Sequence, residues 1–264
     1  MLVTYPTNGK PLLIRVTVTP TVAKAIRVLA FDQDAPNTRY FDWNFNLRSP
    51  RQLRLKFPVT PNNMVLVIAG TEIVARRGGE DRSLRFSDYS VEAGKPCNAW
   101  MSGHSRKFDK FMSEFNQKAS YLPPGEYRSS DGEFLIKYLP QIVDYQTKRV
   151  MTTPARIGHK SGTIEINREQ WLRFTFPARQ IISMHEYAHK WENEASGTTK
   201  DDEIGADLNA IYKYMGQGYP GMEARQVFAH VFYRAQTPLN IDRLNIINDY
   251  IDRFERGDII PGCS

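Results

Sequence analysis

Cysteine is scarce in this 264-residue chain, and the scarcity removes several classes of protein at once. The only two, Cys97 and Cys263, lie far apart and match no metal-ligand spacing. A disulfide-stapled secreted scaffold and a cysteine-based zinc site are therefore excluded. Two thiols in a reducing compartment are expected, with a single disulfide as the alternative. No apolar run approaches the roughly eighteen residues that a membrane-spanning helix needs. Internal repeats and low-complexity tracts are also missing, which argues against solenoids and disordered tails. The N-terminal Met1-Leu2-Val3-Thr4-Tyr5-Pro6 has neither the basic flank nor the apolar core of a secretory signal. The expected location is thus the cytoplasm or a virion or injection particle, without further choice between them. Sequence patterns of specific nucleic-acid recognition are not found.

What is present is an ordinary globular composition with an uneven charge. Residues 1–90 carry 13 Lys/Arg against 7 Asp/Glu, and residues 91–264 carry 22 of each. The whole net charge of +6 therefore resides in the first third. Such an excess suits either a solvated face of strands or docking onto an acidic partner, such as a larger protein assembly.

Hydropathy changes period at about residue 90. Before it, Ile14, Val16 and Val18 alternate with polar residues, as do Ile26, Val28 and Ala30, then Phe41, Trp43 and Phe45, then Leu53, Leu55 and Phe57. Met64–Ala69 is continuously apolar, as a strand buried on both faces would be. Period-two rows separated by turn signals predict an antiparallel β-sandwich over 1–90. After it, Phe108, Phe111, Met112 and Phe115 fall on one helical face, predicting a helix over 107–118. Strands are expected at 134–138 and 163–166, and mostly helix from about Ala178 onward. The predicted fold is α+β, with the boundary near 88–98 and a second domain over 91–264.

That second domain carries His185-Glu186-Tyr187-Ala188-His189. Histidines four apart on a helix present both imidazoles on one face, in reach of one ion at the roughly 2.0–2.1 Å of a zinc–nitrogen bond. Glu186 stands where its carboxylate can take a proton from a metal-activated water without ligating the metal. With only five histidines in the chain, chance would produce this pattern in about one such sequence in two hundred. Thr199-Lys200-Asp201-Asp202 has the form of a capping box opening the next helix. Glu203, in its first turn, is expected as the third metal ligand, with Asp201 and Asp202 as competitors better suited to capping. Asp207, one turn further, can accept the N–H of a ligating imidazole.

The run His185-Glu186-x-x-His189 followed by Glu203-x-x-x-Asp207 resembles the gluzincin group of zinc metallopeptidases. The resemblance is close over some 25 residues and loose over 95–264. It implies a zincin-like fold, peptide-bond hydrolysis, Zn2+ held by His185, His189 and Glu203, and Glu186 as general base. It also implies an edge strand that pairs with extended substrate, expected within Ala155–Asn167 and above all at Gly162–Ile166. An oxyanion donor is implied too, for which His230 and Tyr233, on a helix expected over Met222–Arg234, rank ahead of Tyr187 and Tyr212. His104 and His159 are given no role. The function expected is a zinc metallopeptidase acting on protein or peptide. The alternative is a structural or adaptor component of a larger assembly, such as a phage virion or injection machine, with an active or vestigial peptidase domain.

Overall fold

The computed structural model describes residues 1–72, 81–94, 101–193, 197, 199, 202–232 and 237–259. Cys97, Cys263, Asp201 and Tyr233 lie outside the described residues. The chain is mixed α and β, and it divides into two compact units, Met1–Pro96 and Cys97–Ser264.

The first unit is built from seven strands: β1 (Leu2–Pro6), β2 (Leu12–Pro20), β3 (Lys24–Asp32), β4 (Arg39–Leu47), β5 (Arg51–Phe57), β6 (Asn63–Gly70) and β7 (Leu84–Ala93). They form two antiparallel sheets, ordered β1-β6-β3-β4 and β5-β2-β7. The alternation read from sequence is the burial pattern: Ile14, Val16, Val18, Ile26, Val28 and Ala30 are fully buried, while their neighbours are not. Each such side chain contributes about 1.5–3 kcal/mol of transfer free energy. The continuous run Met64–Ala69 forms β6, buried at Met64, Val65, Leu66, Ile68 and Ala69, so side chains of both faces are covered, as its lack of alternation implies. Phe41 of one sheet meets Phe57 of the other, ring centroids 6.1 Å apart and edge to face. The row Phe41–Trp43–Phe45 is only partly inward, since Trp43 and Phe45 stay half-buried. Strand β7 runs past residue 90, so the boundary expected there cuts a strand. Most of its residues are exposed and it joins the sheet by backbone pairing to β2, which leaves no hydropathy signal.

The second unit opens with α1 (Gly103–Lys118), capped by the Ser102 hydroxyl accepting from the Ser105 N–H at 3.1 Å. Four strands follow: β8 (Gly125–Arg128), β9 (Leu135–Leu139), β10 (Ala155–Ile157) and β11 (Ile164–Asn167). Their order is β10-β11-β9-β8, with β11 and β9 parallel and the other pairs antiparallel. The remainder is helical: α2 (Arg168–Trp171), α3 (Phe176–Trp191), α4 (Glu203–Gly216), α5 (Gly221–Val227) and α6 (Pro238–Arg256). Helix α5 continues into a π-helical turn, Phe228–Phe232.

Helix α3 is buried from Phe176 through His189, polar residues included. A helix so enclosed must satisfy its polar side chains internally. Arg179 donates to the carbonyls of Trp171 (3.0 Å) and Asn116 (3.1 Å), and Gln180 accepts from the Asn116 amide at 2.7 Å. Trp171 Nε1 closes the network on Asn116 at 3.0 Å. These bonds fix α3 against α1 and so set the position of whatever α3 carries.

Candidate metal centre

One turn separates His185 from His189 near the C-terminal end of α3, and their Nε2 atoms converge to 3.0 Å. Helix α4 lies against α3 and brings in Glu203, whose carboxylate oxygens stand 3.5 Å from His185 Nε2 and 3.6 Å from His189 Nε2. Among the described residues these three form a group able to hold a metal ion. Three donors sharing one tetrahedral ion at about 2.0–2.1 Å would be separated from one another by about 3.3–3.5 Å. The donors here lie within a few tenths of an ångström of that spacing before any ion is placed, at 3.0, 3.5 and 3.6 Å.

Local sequence explains why Glu203 is in position. Asp202 caps α4, its carboxylate accepting from the Gly205 N–H at 2.9 Å, and Glu203 is the first residue inside the helix. Asn193, just past the end of α3, donates to the Asp202 carbonyl at 2.8 Å and so joins the two helix ends. The cap is therefore Asp202 itself and not the preceding threonine.

Asp207, fully buried, holds His185 Nδ1 at 2.9 Å. That contact leaves Nδ1 as the protonated nitrogen and turns Nε2 toward the metal position. Burial pushes the His185 pKa down, but the Asp207 carboxylate outweighs it and the net shift is upward. Sequence reasoning missed the next member, Arg243 of α6. Its guanidinium reaches Asp207 at 2.8 Å and Glu203 at 3.2 Å, tying both acids to the C-terminal helix. Nothing local to Arg243 signals this, because its partners lie 36 and 40 residues earlier.

Glu186 is buried and faces β10, where the Ile157 N–H contributes a hydrogen bond to its carboxylate. Burial raises its pKa above the usual carboxylate range, with His185 pulling the other way. A cleft of about 300 Å³ collects these groups: His185, Glu186, His189 and Glu203 on one side, Ala155, Arg156 and Ile157 of β10 on the other. Among the described residues β10 is paired on one side only, through β11, so it is the edge strand over the cleft. The expectation that Gly162–Ile166 forms this edge is corrected. Ile164–Asn167 lies between β10 and β9, and the edge falls to a three-residue strand too short to show in the sequence.

The remaining candidates separate. His230 is exposed and does not line the cleft; Phe232 does, its ring 4.4 Å from that of His185. His230 follows the buried Phe228 by two residues and so lies on the opposite side of the helix, whereas Phe232, four residues on, returns to the side of Phe228, the two rings 5.2 Å apart. Tyr187 is buried beside His104, whose Nδ1 meets its hydroxyl at 2.6 Å, while His104 Nε2 contacts Glu133 at 3.2 Å. Burial holds the Tyr187 phenol up at about 12. Tyr212 does not line the cleft. His159, to which no role is assigned from sequence, does line it.

No family model, curated protein or solved structure matches the chain. Among the described residues no helix is long and apolar enough to cross a membrane.

Proposed function

We propose that the chain is a zinc-dependent metallopeptidase of gluzincin type, with residues from about 95 onward as a zincin-like domain. The observation that carries this reading is the convergence of His185, His189 and Glu203 beside a buried, non-ligating Glu186 under an unpaired strand edge. Two neutral imidazoles and one carboxylate suit zinc, and three protein ligands leave one position for water, as hydrolytic sites require. When bound, the zinc polarises the scissile carbonyl and brings its water to a pKa of about 7.

The chain's own residues supply the rest. Glu186 takes the proton of the attacking water and passes it to the leaving amine. Asp207 and Arg243 hold His185 and Glu203 in their orientations. The free side of β10 offers backbone N–H and C=O groups to an extended peptide, which favours polypeptide substrates with little sequence preference. A purely structural zinc site would have no use for Glu186, so its presence favours turnover over the adaptor alternative. For the first unit we propose an antiparallel β-sandwich whose basic charge docks the enzyme onto an acidic partner, an attachment that added salt should weaken.

Glu186→Gln tests the catalytic reading. Zinc content should stay at about one per chain, while cleavage of unstructured peptides falls by about 10² or more. Cleavage unchanged in that variant removes Glu186 as the base.

A further inference from the structure

We infer that the outward face of the β5-β2-β7 sheet binds the phosphate backbone of double-stranded nucleic acid without sequence preference. The inference rests on the docking reading of the first unit and names both the face that docks and the chemistry of its partner.

Register fixes what that face presents. Ile14, Val16, Val18, Leu53 and Leu55 are buried, so the residues that alternate with them point outward. Outward Arg15 of β2 lies directly opposite Arg54 of β5, and Lys56, two residues further along, lies opposite Leu13. Across the other side of β2, Arg85 of β7 lies opposite Thr19. Like charges directly across a strand pair are destabilising unless something answers them. Glu92 answers Arg15. The other acid of β7, Asp88, sits in the bulge and accepts from the Ser87 hydroxyl at 3.2 Å. Arg54, Lys56 and Arg85 are exposed, and among the described residues no acid pairs with any of them.

The other sheet of the unit is different. There Arg27 and Arg39 share Asp42 at 2.8 and 2.6 Å, and Lys24 holds Asp81 at 3.0 Å. Arg51 of β5, which has no acid, stacks over the Phe45 ring at 5.0 Å. The strand cations left with neither acid nor ring are thus the three on the outward β5-β2-β7 face.

What surrounds these charges selects the partner. Thr17, Thr19, Gln52 and Ser87 fill the face between them. Arginine, lysine, serine, threonine and glutamine are the side chains that contact phosphate and sugar. A protein interface would need a core of aromatic and apolar side chains. Here Leu13, half-buried, is the apolar member, and the rings of β7 turn elsewhere. Phe86 lies opposite the inward Val18, and the Tyr89 hydroxyl meets that of Tyr5 in the other sheet. Without outward rings there is no platform for the base stacking that holds single strands. A face three strands wide is also too broad for a groove that admits a helix or a two-stranded ribbon, so base edges go unread. Contact with the backbone of a duplex is what this chemistry fits.

The test is fluorescence anisotropy of a labelled 20-base-pair duplex on the full-length protein at about 50 mM salt. Labelled poly-glutamate serves as the acidic-protein probe. Wild type is compared with Arg54→Gln/Lys56→Gln/Arg85→Gln and with a control of equal charge change in the second unit, Lys110→Gln/Lys118→Gln/Arg253→Gln, all six positions being exposed. Three phosphate contacts give a slope of log affinity against log salt of about −2.7, so wild-type binding should weaken about 40-fold between 50 and 200 mM. The first triple variant should lose tenfold or more in duplex affinity, and the control should stay within about threefold of wild type. Each single variant, Arg54→Gln, Lys56→Gln or Arg85→Gln, should lower the slope by about 0.9 with the fold intact by circular dichroism. A wild type that ignores the duplex, or a triple variant that matches the control, overturns the inference. A tenfold preference between AT-rich and GC-rich duplexes overturns it as well. Poly-glutamate held by these three residues where the duplex is not leaves the docking reading standing. If neither probe binds, reading and inference fall together, and the three charges serve only to keep the sheet edges from pairing.

Discussion

Buried acids in the two units are shifted in opposite directions. In the first unit, burial pushes Asp81 up, but Ser83, the Gly70 N–H and Lys24 bring it down to about 2. Its carboxylate accepts from the Gly70 N–H at 2.7 Å, the Ser83 hydroxyl at 2.6 Å and the Lys24 ammonium at 3.0 Å. Asp42 is likewise lowered, with Arg27 and Arg39 outweighing burial. At two acids of the second unit burial wins: Glu186 is raised, and Asp109 is raised to about 6 against a 3.3 Å bond from Gln217 and the charge of Lys213. Acids in the first unit are satisfied and serve the fold. Glu186 is held in a cleft short of partners, the condition under which a carboxylate keeps its affinity for a proton near neutral pH.

The sharpest way to break the comparison is at the metal. His189→Ala should take zinc from about one per chain to near none by elemental analysis, with peptide cleavage lost alongside, while the first unit keeps its stability. Full zinc content in that variant would mean that the buried polar groups of α3 are held for the fold, as Asp81 is.

A smaller effect is expected from Asp81→Ala. It strands Lys24, the Ser83 hydroxyl and the Gly70 N–H, at a cost of about 2–4 kcal/mol in denaturant unfolding of the first unit, with zinc content unchanged. The pH dependence follows from the sign of the shift. Asp81 binds protons less readily folded than unfolded, so its contribution is present above pH 4 and is lost as pH falls toward about 2.

Asp109 should show the opposite slope, and the smallest change. Because its folded pKa lies above the unfolded one, stability declines as pH rises from about 4 to about 6. Asp109→Asn should match wild type below pH 4 and exceed it at pH 7 by no more than the roughly 3 kcal/mol that a rise of about two pKa units represents. Parallel pH profiles for the two proteins would show that Asp109 is as well satisfied as the acids of the first unit.

How much of this was legible in the sequence depended on the range of the interaction. The β rows of the first unit were readable because a half-buried strand writes its burial at period two, and Met64–Ala69 because a strand buried on both faces writes none. Three members of the metal group were readable because helical spacing and a cap lie within a few residues. Strand β10 was not, since three residues carry no period. Arg243 was passed over because its partners come from another helix. The misplacement of His230 has a different origin. Its helix was recognised by its apolar residues, and that pattern did not separate a histidine two residues past the buried Phe228 from the ring, four past it, that lines the cleft.

The π-helical turn also changes which mutations are informative. Each residue of an α-helix advances the face by about 100° and each residue of a π-turn by less, so the number of residues from Phe228 to Phe232 sets where the second ring falls. Substitutions at Phe228–Phe232 alter a side chain but leave that number intact. Removing a single codon, Ala229 for example, shortens the path from Phe228 to Phe232 by one residue while leaving both rings in the chain. Deletion scanning is therefore the mutational grammar suited to this segment, because what the segment contributes is an offset as much as a set of side chains.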